Sequence, residues 1–162
     1  MTDGTIIESV KDAIAVGSSI VESAENEVVW LIPRPTLVYT CQYGLIEKFT
    51  MLIQKGVPVR GIADISHRYI STTRELMDIG EDVRHSDTYS GIFMVVRDNK
   101  ESLSSMSVDA MNLSIDTPVV ALWSDDPTFA AYLMSTFEMV WEQSVPAAQR
   151  IEELLKEGPP DI

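Results

Sequence analysis

The sequence has little that would indicate a covalently linked or membrane-bound architecture. Its single cysteine, Cys41, cannot form a disulfide within the chain, which fits a reducing cytoplasm. No apolar run approaches the roughly 18 residues that a membrane span requires. The first residues also lack the basic, apolar and small-residue pattern of a secretion signal. We therefore expect a cytoplasmic protein without a membrane segment.

Basic residues are scarce as well. Lysine and arginine number 12 against 25 aspartates and glutamates, which gives a formal net charge of −13. A duplex-binding surface needs clustered Lys and Arg, whereas the basic residues of this chain are scattered. The composition therefore argues against direct nucleic-acid binding. The acidity is consistent with solubility in a salty cytoplasm, or with a basic protein partner.

What is present is typical of a globular protein. The chain has 162 residues, of which 45% are hydrophobic and 23% charged, which is the balance of a folded domain. No repeat, low-complexity tract or linker divides it. We predict one domain over residues 1–162, with a C-terminal helical tail at about 146–158.

The last third carries the clearest secondary-structure signal. An apolar run predicts a strand at 118–123, and an Asp-Asp-Pro-Thr-Phe segment follows it directly. Asp126 before Pro127 marks a helix start, because the carboxylate caps free N–H groups and proline suits the first helical turn. Apolar residues then recur at helical spacing through Trp141.

The rest of the chain alternates helical and extended patterns. Amphipathic spacing predicts three further helices, at 5–25, 36–55 and 67–78. Apolar or alternating runs predict five further strands, at 27–32, 57–63, 82–85, 91–96 and 103–108. A turn at 97–100 lets the last two of these pair as a hairpin. This order implies an α/β fold with a mixed β-sheet flanked by helices.

The order resembles one half of the phospholipase D fold. In particular, it resembles the phospholipase-D-like effector domain of archaeal sugar-responsive regulators of the TrmB type. Four stretches carry the resemblance: 53–62 (IQKGVPVRGI), 83–85 (VRH), 91–100 (GIFMVVRDNK) and 121–141, which begins ALWSDDP and ends FEMVW. Together they cover residues from about 50 to 145. The resemblance implies a homodimer, because two halves normally pair to complete that fold.

The catalytic motif of that superfamily is missing from the corresponding strand. Catalytic members carry His-x-Lys and then, after four intervening residues, Asp; the histidine attacks phosphorus and the lysine stabilises phosphate charge. The corresponding positions here are about Ser90 and Ile92, with Arg97 or Asp98 near the aspartate position. The resemblance therefore implies a scaffold without catalytic residues.

The two histidines do not restore the motif elsewhere. Tyr69 stands where a lysine should follow His67, and Asp87 stands where one should follow His85. Because the first predicted helix begins near residue 5, we expect this sequence to lack the winged helix of the TrmB-type regulators. We therefore expect an effector domain that works through a partner.

Ligands in α/β sheets favour the C-terminal ends of strands, and the resemblance implies a pocket in the same region. The predicted ligand-binding residues are Arg34, Ser66, His67, Arg84, His85 and Ser90. The Arg34 guanidinium suits bidentate binding of a carboxylate or phosphate, although a surface arginine is the plainer interpretation. Histidine titrates near neutral pH, which suits a functional role. His67 and His85 are, however, each also compatible with a helix start or a surface position.

No metal or cofactor is expected. Cys41, His67 and His85 lack metal-ligand spacing, and Cys41 is interpreted as a core residue of the second predicted helix. Segment 104–106, rich in serine, is a further candidate for the same edge of the sheet. The eight methionines either line an adaptable apolar pocket or fill the core.

Three hypotheses about function follow. The first is a non-catalytic sensor or effector domain that binds a small ligand or a partner protein in transcriptional or signalling regulation. The second is a phosphodiesterase with a divergent site, in which His67 or His85 works with Arg34 or Arg84 on a phosphoester. The third is an adaptor whose acidic surface binds a DNA-binding or other basic protein, an interaction that salt would weaken.

Overall fold

A computed structural model describes residues 4–32, 37, 41, 43–89, 91–106 and 118–158. Its strands are β1 (Gly4–Ser9), β2 (Val28–Ile32), β3 (Val59–Ala63), β4 (Asp82–His85), β5 (Ile92–Arg97), β6 (Glu101–Met106), β7 (Pro118–Ser124) and β8 (Val145–Pro146). Its helices are α1 (Val10–Glu22), α2 (Leu45–Gln54), α3 (Ile70–Asp78), α4 (Pro127–Gln143) and α5 (Ala147–Glu157). A 3₁₀ turn, His67–Tyr69, leads into α3.

The described strands form one mixed sheet in the order β1-β7-β6-β5-β2-β3-β4-β8. Strands β2, β3 and β4 are parallel, while the other pairings are antiparallel. The α/β class and the mixed sheet predicted from the sequence are thus confirmed. Strand β2 is buried on both faces along its whole length, as its unbroken apolar run predicts.

Two hydrophobic clusters cover the two faces of the sheet. The larger cluster packs Trp30 and Ile32 of β2 against helices α1, α2 and α5. The smaller cluster packs Val29 and Leu31, on the opposite face of the same strand, against Phe137 and other residues of α4. Alternate residues of β2 thus serve opposite layers, since side-chain direction in a strand has a period of two.

The first predicted helix is wrong at its N-terminal end. Residues 4–9 form β1, which pairs antiparallel with β7 from Gly4–Ser124 to Ser9–Pro118, and α1 follows only at Val10. This pairing depends on a strand far along the chain, so local amphipathic spacing cannot reveal it. Ser9 ends the strand and caps the helix, because its Oγ accepts the N–H of Asp12 at 3.1 Å.

The second predicted helix, at 36–55, is also wrong in its extent. Helix α2 begins at Leu45, and Gly44 before it has a φ of +85°. That left-handed conformation interrupts a right-handed helix and favours glycine. Leu37 and Cys41 are each helical, but most of the segment between them lies outside the described residues.

The C-terminal half follows the predictions closely. Asp126 caps α4, its Oδ1 accepting the N–H of Thr128 at 2.9 Å, with Pro127 in the first turn. The hairpin strand β6 begins two residues earlier than predicted, and residues 107–108 lie outside the described part of the chain. The predicted tail helix is α5, preceded by the unpredicted two-residue strand β8 beside β4. No helix in the described part of the chain is both long and apolar enough to cross a bilayer.

Candidate functional site

The candidate site lies where the parallel strands end. Ile32, Ala63 and His85 lie side by side as the last residues of β2, β3 and β4. Strand β5 runs in the opposite direction, so its first residue, Ile92, is near the end of β2. This edge is the one at which α/β sheets place ligands.

A small cleft opens at this edge on the α4 side of the sheet, and we call it the strand-end cleft. Its lining residues are Leu31, Ile32, Ile62, Ala63, Asp64, Ser86, Tyr89 and Val140. Its volume is only about 10 Å³, room for about one water molecule and far below the roughly 300 Å³ at which drug-sized ligand pockets begin. The aliphatic side chains come from β2, β3 and α4, while the polar groups follow the ends of β3 and β4.

His85 is a neutral hydrogen-bond acceptor beside this edge. Its Nδ1 accepts the backbone N–H of Ile65 at 2.9 Å, so the ring proton is on Nε2. Burial lowers the pKa of His85, and the positive charge of Arg150 acts in the same direction. The carboxylate of Asp64, 4.0 Å from Nδ1, opposes this without overcoming it. A neutral imidazole is thus favoured at neutral pH.

The loop after β3 is fastened to helix α5. His67 Nε2 lies 2.8 Å from the carbonyl oxygen of Leu154, and it must donate because a carbonyl only accepts. Arg150 Nε donates to the carbonyl of Ile65 at 3.2 Å. The carbonyl of Ser66 accepts the N–H of Tyr69 at 2.9 Å, which closes the 3₁₀ turn. These contacts bring Ser66, His67 and His85 together, and they involve both histidines in internal hydrogen bonds.

Arg84 lies on the other face of the sheet from His85, because successive strand residues point in opposite directions. Its guanidinium is 4.4 Å from the Trp141 ring, and its Nη1 donates to the Trp141 carbonyl at 3.2 Å. Arg60, on the neighbouring strand β3, makes similar contacts: its guanidinium carbon lies 5.2 Å from the ring centroids of Trp141 and Phe137. The geometry therefore commits Arg84 to packing against α4 and separates it from the histidines.

The residues near the expected catalytic-motif positions on β5 have structural contacts. Ile92, near the expected lysine position, is half-buried and packs against the α4-side cluster. Asp98, near the aspartate position, is at the far end of β5 and accepts N–H groups of the loop before β2. Arg34 and Ser90 lie outside the described residues.

Some residues of this edge were not singled out from the sequence. Ser86 and Tyr89 line the cleft and directly follow β4, so the rule that ligands bind at strand ends could have found them. Arg150 gives no such signal, since it is one polar residue on an amphipathic tail helix. Ser104 and Ser105 lie within β6, paired with Met94 and Phe93. In the described residues no group of three or more His, Cys, Asp or Glu could hold a metal ion.

Comparison with known proteins identifies the fold. No protein-family model and no curated protein sequence matches this chain. Among solved structures, it is similar to TrmBL2, an archaeal chromatin protein described with a novel mode of DNA binding, at a TM-score of 0.66 and 14% identity. That match covers 88% of this chain and 54% of TrmBL2, so the chain spans about half of that protein.

Two solved structures that this chain matches over nearly their whole length give the same result. Nuc of Salmonella typhimurium, a phospholipase D family member, matches with a TM-score of 0.70 and 13% identity over 90% of this chain and 98% of its own. NucT of Helicobacter pylori matches with a TM-score of 0.70 and 16% identity over 90% and 99%. The chain therefore has a phospholipase-D-like α/β fold, and at these identities the likeness establishes the fold alone.

Proposed function

We propose that this protein is a non-catalytic phospholipase-D-like sensor or effector domain. It binds a small ligand or a partner protein and acts in transcriptional or signalling regulation in the cytoplasm. The observation that supports the proposal is Ile92, a half-buried apolar residue packed against the α4-side cluster, near the position where the sequence comparison expects the phosphate-binding lysine. Phosphoryl chemistry at this edge would need a cationic group at that point.

The polar groups of the strand-end cleft favour a ligand rich in hydroxyl groups. The Asp64 carboxylate and the hydroxyls of Ser86 and Tyr89 can all accept hydrogen bonds from such a ligand. Of the arginines near this edge that the structure describes, Arg84 donates to Trp141 and Arg150 donates to Ile65. The cleft has room for about one water-sized group, so a sugar or another small polyol would place a single hydroxyl in it, whereas a phosphate or an organic acid would need a free guanidinium.

The proposal includes a homodimer, as the likeness to half of the phospholipase D fold implies. Ile6 on β1 and Val120 on β7 are 60% and 67% exposed. Since Ile6 pairs with Leu122, both side chains lie on the same face of the sheet, beside the area that α4 covers. A second copy would bury such apolar side chains. An interaction with DNA would be indirect, through a DNA-binding or other basic partner.

A thermal-shift screen of sugars, nucleotides and organic acids tests the proposed ligand class. A ligand at 100 times its Kd stabilises the folded state by about 2.7 kcal/mol, which raises the Tm of a protein of this size by about 5 °C or more. We expect sugars to produce that shift and the other two classes to produce none.

Variants of the cleft distinguish specific binding from a general solvent effect. Ser86→Ala and Tyr89→Phe remove one hydroxyl each and should reduce the shift. Ser71→Ala, an exposed serine on α3 away from the cleft, should leave it unchanged. The proposed ligand class is wrong if only organic acids or nucleotides stabilise the protein, or if both cleft variants keep the full shift.

A further inference from the structure

Glu81 is a carboxylic side chain enclosed in the protein. It directly precedes β4, and its backbone N–H donates to the carbonyl of Leu76 at 3.1 Å after the end of α3. The residue is only 5% exposed. Acidic residues are rarely enclosed to this degree unless a partner balances their charge.

The hydrogen bonds of Glu81 are too few for an ionised carboxylate. Oε2 accepts the indole N–H of Trp30 on β2 at 2.9 Å, whereas Oε1 is buried without a hydrogen-bond partner. An ionised carboxylate offers about four acceptor sites, and its burial is costly unless they are paired. The site is therefore adapted to the neutral acid.

Among the described residues, no positive charge is paired with Glu81 to compensate its ionisation. The half-buried thiol of Cys41 lies within electrostatic reach, and burial raises the pKa of Cys41 to about 12, helped by the negative charges of Glu81 and Glu75. Asp82, the neighbour on β4, is exposed. In the part of the chain that the structure describes, no lysine, arginine or histidine is paired with Glu81.

We propose that Glu81 is a proton-dependent switch: the folded protein holds it as a neutral carboxylic acid, and transfer of its proton to water loosens its packing against Trp30. No other bond changes in this step. The switch couples the protonation state to the packing of β2, the strand that leads to the strand-end cleft.

The direction of the pH dependence follows from the burial. Desolvation raises the pKa of Glu81 to about 8, against a smaller opposing effect of the Trp30 hydrogen bond. In the unfolded chain a glutamate ionises near pH 4.3. Between those two values unfolding releases a proton, so stability falls as pH rises. The contribution of Glu81 to the free energy of unfolding is complete below about pH 4 and is lost as pH rises through about 8.

Urea denaturation of Glu81→Gln between pH 5 and 9 tests this switch. The unfolding equilibrium constant of the wild type, divided by that of Glu81→Gln, should rise by about tenfold per pH unit up to about pH 8 and then level off. Other titrating groups, including His67 and His85, cancel in this ratio. Glu75→Gln, which removes an exposed carboxylate of α3, should follow the wild type.

The indole N–H signals of the wild type give a second readout that needs no variant. The Trp30 signal should shift with a midpoint near pH 8, because its acceptor is Glu81. The Trp123 indole donates to Glu101 at 2.9 Å and serves as an internal reference that Glu81 should not affect. A Trp30 signal that does not move between pH 5 and 9 would overturn the proposal. So would identical pH profiles of the wild type and Glu81→Gln.

Discussion

Trp30 occupies the space that a side chain at position 61 would need. Gly61 pairs with Trp30 across β2 and β3, and a Cβ on it would lie 1.9 Å from the indole ring. The ring is fully buried and is also held by Glu81, so it has little freedom to move aside. The fold therefore requires glycine at position 61, because even the methyl side chain of alanine would clash with the Trp30 ring.

Gly61→Ala should therefore destabilise the protein, by about 3 kcal/mol, the upper range for an overpacked core. Gly17→Ala is the matched control, because its Cβ would meet Leu103 at 3.8 Å, an ordinary contact. Since position 17 is inside α1, that alanine should stabilise the protein by about 0.5–1 kcal/mol. Urea denaturation of the two variants measures both effects. Equal effects of the two substitutions would contradict the packing argument.

The β5–β6 hairpin is joined to the loop before β2 by one carboxylate. Asp98 and Asn99 form its turn, each with a φ of +54°, a region that Asn and Asp enter more readily than other side chains. The Asp98 carboxylate accepts the backbone N–H groups of Glu25, Asn26 and Glu27 at 2.7–3.0 Å. Burial opposes its ionisation, but these donors outweigh burial and lower the pKa of Asp98 below its ordinary value.

Asp98→Ala should cost about 3 kcal/mol of stability, because it leaves three N–H groups without their charged acceptor. Asn99→Ala is the control for the turn itself, since it places alanine at the same φ and should cost only about 1 kcal/mol. The lowered pKa means that the Asp98 contribution is present above about pH 4 and lost as pH falls further. Denaturation at pH 7 and pH 3 measures this. A difference between the two variants that persists unchanged at pH 3 would contradict the assignment.

Among the helices and strands, those that the sequence predicts well carry a clear pattern in their own residues. Strand β2 is an uninterrupted apolar run, and α4 has its capping Asp126 next to Pro127. Strand β1 is different, because its residues become extended only through pairing with β7. Strand β8 has two residues, too few to show a period.

The candidate site was predictable only in its location. The rule that ligands bind at strand ends leads to Ser66, His67 and His85, but it does not give their hydrogen bonds. His67 donates to Leu154, and the neighbouring Ile65 accepts from Arg150; both partners are on α5, far along the chain. Local patterns therefore indicate which side chains lie near the edge of the sheet, whereas tertiary contacts decide which of them already form hydrogen bonds within the protein.

For the molecule as a whole, the fold would suggest phosphodiester chemistry, whereas the side chains of the candidate site do not. The fold is that of phospholipase-D-like proteins. Ile92, near the expected lysine position, is apolar and half-buried, and the described histidines donate or accept internal hydrogen bonds. The net charge of −13 adds a general repulsion toward phosphodiester backbones. Together these features favour a regulatory role.

We propose that the protein has no phosphodiesterase activity, and a phosphodiester hydrolysis assay tests this most directly. The purified protein and the variant His67→Ala/His85→Ala should be assayed on a panel of phosphodiesters, after circular dichroism has shown that both are folded. We predict that both hydrolyse every substrate at the uncatalysed background rate. A wild-type rate clearly above background that is lost in the folded double variant would contradict the claim and identify the protein as an enzyme with a divergent site.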